Sequence, residues 1–81
     1  NNIFIFIFVK SKVSMHYNTI KSVLEEKEIS QKKLSDLMGV SVVTINSWCN
    51  QKSQPSIRTL FEISKTLGIT PDKLINNKIK E

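Results

Sequence analysis

Two hydrophobic periods run along this chain. Residues 3–9, "IFIFIFV", are apolar at every position, a β-type signal with both faces apolar. From Asn18 onward apolar residues recur at three and four, the helical spacing. Ile20, Val23 and Leu24 share one face, with Lys27 beside them and Glu25, Glu26 and Glu28 off it. This predicts a first helix ending near Glu28. Ser30 can cap a second, "QKKLSDLM", with Leu34, Leu37 and Met38 inward, and Gly39 stops it because glycine tolerates the left-handed conformation of a helix end. Ser56 can cap a fourth, "IRTLFEISKTL", in which Ile57, Leu60, Phe61, Ser64 and Leu67 repeat, and Gly68 ends it. Thr70 and Pro71 open a short fifth helix through Leu74 and Ile75.

The third segment reads two ways. Val42, Val43, Thr44 and Ile45 are four β-branched residues in a row, which favours a strand. Trp48 and Cys49 follow Ile45 by three and four, which favours a helix. Ser41 is a good cap, the neighbouring segments are helical and no partner strand lies nearby, so a helix over residues 42–50 is expected. The expected fold is all-α, a compact five-helix bundle.

Residues 1–14 stand apart as an apolar extension before a domain over residues 15–81. Either Met15 is the natural start and the preceding residues are translated upstream sequence, or they form a real strand that needs a partner. Seven apolar residues are too few to span a bilayer, which takes about 20. Lys10 and Lys12 follow the apolar run, whereas a signal peptide places its charges before it. Export and membrane insertion are not expected.

With 81 residues the chain has room for one domain. Pairing with a second copy would help so small a core. Twelve basic against seven acidic residues give a net charge of +5, a mild pointer to a polyanionic partner. Cys49 is the only cysteine and His16 the only histidine, so neither a zinc site nor an internal disulfide can be assembled, and a reducing cytoplasm suits the chain. No cofactor or small-molecule ligand is suggested. Paired carboxylates in a pocket-like context, a glycine-rich phosphate loop and a Ser/His/Asp set are lacking too, so an enzyme is not expected.

Two short helices joined by Gly39-Val40-Ser41 make a helix-turn-helix. Leu34 and Met38 have to face Ile45 and Trp48, Ser35 has to be small, Gly39 has to take the turn and Val40 plugs the corner. The stretch "QKKLSDLMGVSVVTINSWCNQKSQPSIRTLFEISKTLGITPDKL" resembles the phage Cro and repressor type of helix-turn-helix, the XRE family, over residues 18–76. The matching positions are Gln31, Leu34, Ser35, Gly39, Val40, Ser41, Ile45, Trp48, Pro55, Ser56, Leu60, Ile63, Leu67, Gly68 and Leu74. Ser35, Cys49 and Gln51 depart from the usual alanine, glutamate and glycine, the last bearing on how the third helix ends. The resemblance implies a lambda-repressor-like fold whose third helix lies in the major groove of double-stranded DNA.

With Ile45, Trp48 and Cys49 inward, Val43, Ser47 and Asn50 point outward, flanked by Thr44, Asn46 and Gln51, and Val42 sits at the helix start. Val42 and Val43 are candidates for thymine methyls, Asn46 and Ser47 for base edges. Gln31, Ser41, Thr44, Asn50, Lys52 and Arg58, with Lys32 or Lys33, are candidates for phosphates. No acidic residue lies between Asp36 and Glu62, as a DNA-facing surface requires. The plainer readings are partial core for the valines, a semi-buried hydrophobe for Cys49 and a solvated face for the lysines. The expected function is a sequence-specific transcription regulator, a repressor acting as a homodimer. The alternatives are a protein-interaction module and the antitoxin of a toxin pair.

Overall fold

The computed structural model describes residues 16–77. Four α-helices follow one another: α1 (Ile20–Lys27), α2 (Gln31–Met38), α3 (Val42–Cys49) and α4 (Ile57–Leu67). The capping residues expected from the sequence close three of them. The hydroxyls of Ser30, Ser41 and Ser56 accept from the backbone N–H of Lys33, Thr44 and Thr59 at 2.9, 3.1 and 3.1 Å. At the C-termini Gly39 and Gly68 take left-handed φ of 70° and 72°, where a Cβ would be strained. The segment that could have been strand or helix is helix α3. Its β-branched residues are accommodated because Ile45, Trp48 and Cys49 are all buried.

The expected fifth helix is instead a single 3-10 turn, Pro71–Leu74. The backbone beyond it is claimed by another partner. Thr19 N–H donates to Leu74 O at 2.9 Å and Asn76 N–H to Tyr17 O at 2.9 Å, so Ile75 is extended opposite Asn18 and the helix cannot continue. Among the described residues this isolated bridge is the sole strand-like feature, and the predicted apolar strand of residues 1–14 lies outside them.

Each element contributes one side chain with 0 % exposure to a single core: Ile20, Leu34, Ile45, Ile63 and Leu74. Met38, Val40 and Leu60 pack around them. Three residues expected inward are not. Leu37 is 52 %, Ile57 74 % and Phe61 58 % exposed. A helix advances about 100° per residue. The α2 stripe that packs is Leu34, Ser35 and Met38, which puts Leu37 about 60° beyond its edge. On α4 the buried stripe is Leu60, Ile63, Ser64 and Leu67, leaving Phe61 about 100° from Leu60. Among the described residues no helix is long and apolar enough to cross a membrane, and no group of His, Cys, Asp or Glu could hold a metal ion.

Candidate nucleic-acid interface

The turn between α2 and α3 is locked from both sides. Ser35 is buried, and its hydroxyl donates to Val40 O at 2.5 Å. Gly39 and Val40 N–H both donate to Ser35 O, at 2.9 and 3.3 Å. A serine where alanine is usual therefore adds a bond across the turn and leaves the close approach of the two helices intact. Leu34 and Ile45 meet in the core, which fixes how α3 projects from the body.

The solvent side of α3 carries Val42, Val43, Asn46 and Asn50 of the residues expected there, but not Ser47. Val43 is 75 % and Val42 38 % exposed, large for valines and available to a partner. Asn46 and Asn50 are exposed one turn further on. An amide chain links three of the candidates: Asn46 Nδ2 donates to Gln31 Oε1 at 3.1 Å, and Asn50 Nδ2 donates to Asn46 Oδ1 at 3.0 Å. Ser47 is half-buried and turns towards the following loop, its hydroxyl 2.8 Å from that of Ser53. Lys52 N–H donates to Ser47 O at 2.9 Å, which holds the exposed Lys52 beside the C-terminus of α3. Ser41 and Thr44 are tied to each other, their hydroxyls 2.9 Å apart. With the Ser41 hydroxyl engaged by Thr44, including its N–H, the N–H groups of Val42 and Val43 are the anion-seeking groups at this end.

Arg58 stands apart from this surface. It lies in the first turn of α4 and lines a groove with Phe61, Lys65 and Ile69. Lys32 is paired with Asp36 at 2.8 Å, an exposed pair of small energetic weight, while Lys33 is exposed.

A family model described as helix-turn-helix matches residues 20–74, from the start of α1 to the end of the 3-10 turn. The chain belongs to the XRE family of helix-turn-helix proteins. A solved structure of a protein from Bacteroides fragilis, provisionally named as DNA-binding, shares 44 % identity with a TM-score of 0.73, covering 76 % of this chain and 100 % of that one. Among curated proteins none matches the chain.

Against that family pattern, Gln51 is the residue the sequence left unresolved, and the structure turns it away from the flank of α3. Gln51 takes φ 63°, the left-handed conformation its usual glycine would supply. Its side chain reaches back to the start of the domain. Oε1 accepts from Tyr17 N–H at 3.1 Å and Asn18 N–H at 3.4 Å, and Nε2 donates to Asn18 O at 2.9 Å. Asn18 answers from its buried position: Nδ2 donates to Trp48 O at 2.9 Å and to Gln54 Oε1 at 2.8 Å. The sequence marked none of Asn18, Ser53 and Gln54. The one available signal was a long polar side chain at position 51, where a left-handed backbone is wanted.

Cys49 is buried against α1, and burial pushes its thiol pKa up. Glu25 adds to the rise and Lys21 opposes it. A neutral, packed thiol fits the plainer expectation for this residue.

Proposed function

We propose that this chain is a sequence-specific double-stranded DNA-binding transcription regulator, a repressor acting as a homodimer on a two-fold site. The observation that carries the reading is the solvent face of α3. It combines exposed methyls at Val42 and Val43 with neutral hydrogen-bonding amides at Asn46 and Asn50, with Ser47 half-buried at the edge beside Ser53, on a helix free of acidic residues and locked to the core through α2. Membership of the family and likeness to a neighbour with a DNA-binding name support it. Gln31, Ser41, Thr44, Asn50 and Lys52 are the proposed backbone-contacting set, Lys52 being best placed beside α3, while Arg58, on α4, would reach a phosphate only beyond that surface. The reading takes residues 15–81 as the domain, outside which residues 1–14 lie, and a cytoplasmic, non-enzymatic role. A second reading, a protein-interaction module or an antitoxin, is favoured by the exposed Ile57 and Phe61 of α4.

Competition titrations separate the roles. Asn46→Ala should weaken the preferred site by about 1–3 kcal/mol and relax base choice. Lys52→Ala should weaken all duplexes alike and lower the salt slope by about one. Equal losses on preferred and random DNA for both variants would refute this division. A wild-type chain that binds no duplex, yet captures a protein through α4, would replace the first reading with the second.

A further inference from the structure

We propose that the outer face of α3 selects A·T base pairs, with Asn46 reading adenine and with Gln31 and Asn50 as the positioning residues that orient its amide. The proposal rests on α3 being the major-groove helix. Its first support is what α3 lacks. Guanine is read most often by a bidentate arginine or lysine, and cytosine by a carboxylate. The sequence of α3, "VVTINSWC", holds no charged residue at all.

The second support is a count of hydrogen-bonding capacity. A side-chain amide has two N–H donors and two acceptor lone pairs. Asn46 spends one donor on Gln31 and one acceptor on Asn50, at 3.1 and 3.0 Å. One donor and one acceptor remain. Reversing all three amides together leaves the same pair. Turning Asn46 alone would set N–H against N–H and carbonyl against carbonyl, so the chain holds its orientation. One donor with one acceptor matches adenine, which offers N7 as acceptor and N6–H as donor. Guanine offers two acceptors, N7 and O6, and would leave one unmet. Val43 lies three residues before Asn46 on the same exposed side, a rise of about 4.5 Å. That is close to the spacing of about 3.4 Å between base pairs, so its methyls fall at the neighbouring pair, where a thymine methyl suits them.

The test starts from selection by the full chain out of a duplex library randomised over about two helical turns. The expected product is an A·T-centred half-site in which Asn46→Ala abolishes preference at one adenine and leaves the other positions unchanged. At that adenine, 7-deazaadenine, which lacks the N7 acceptor, and purine, which lacks the N6 amino group, should each weaken binding about five- to tenfold. Gln31→Ala should lower the ratio of preferred-site to random-duplex affinity at the same adenine about fivefold while the melting temperature of the chain stays at the wild-type value. That split would not arise from general unfolding. A G·C-centred site, or an adenine at which neither analogue matters, overturns the adenine assignment and leaves DNA recognition by α3 standing. Failure to enrich any site overturns both.

Discussion

Replacing Asn18 should cost more than its place outside every helix suggests. The side chain is 4 % exposed and uses all of its hydrogen-bonding capacity. Nδ2 donates to Trp48 O and Gln54 Oε1; Oδ1 accepts from Ile20 N–H at 3.0 Å and from Gln51 Nε2 at 3.3 Å. In Asn18→Ala the partners do not suffer equally. Gln54 is exposed and recovers water, and Trp48 O keeps the N–H of Gln51 at 3.0 Å. Ile20 N–H, at the first turn of a residue with 0 % exposure, loses its acceptor. An orphaned buried donor costs about 1–3 kcal/mol, and with the lost packing about 2–3 kcal/mol is expected. A small domain has about 5–15 kcal/mol in total. Asn18→Asp is the sharper probe. As a helix cap aspartate is as good as asparagine. Here its second oxygen would face the acceptors Trp48 O and Gln54 Oε1 as a buried charge, so the loss should match or exceed that of alanine. Urea unfolding followed by far-UV circular dichroism and by the fluorescence of Trp48 measures both. An aspartate variant as stable as wild type would show Asn18 to be a simple cap, and an alanine variant within about 0.5 kcal/mol would show that the network contributes nothing.

Trp48→Ala should destabilise by about 3–5 kcal/mol, a large share of the total for so small a domain, and a denaturant melt close to wild type would contradict the packing of α3. At position 51 glycine should be tolerated better than alanine by about 1 kcal/mol: both lose the bonds to Tyr17 and Asn18, but only alanine keeps the left-handed strain, as paired thermal melts would show. Cys49 should alkylate far more slowly in the native chain than in urea at neutral pH, which a timed iodoacetamide reaction measures. Because its folded pKa is raised, its contribution to stability is full below the ordinary thiol range, about 8.5, and is lost as pH rises through the folded value. Cys49→Ser should flatten that alkaline decline.

The helices were legible in the sequence because their causes are local. Serine caps act over three residues and glycine stops act at one backbone position, so Ser30, Ser41, Ser56, Gly39 and Gly68 announced the boundaries without any knowledge of the rest of the chain. The turn joining α2 to α3 was legible for the same reason, as was the outward face of α3. Once Ile45 and Trp48 are buried, the 3.6-residue period leaves Val43 and Asn50 no other side. Tertiary structure decided matters in which distant groups compete. Ile57, Phe61 and Leu37 had valid helical spacing, but the angle at which α4 and α2 lie on the core chose the neighbouring stripe. The last helix shrank to one turn because the backbone at residues 74–76 bonds to residues 17–19, at the opposite end of the domain. The amides of Asn18 and Gln51, and the chain from Gln31 through Asn46 to Asn50, join residues up to 36 positions apart. A polar side chain carries no mark in the sequence of the partner it will meet: its bonding is set by which groups the apolar core brings within about 3 Å of it.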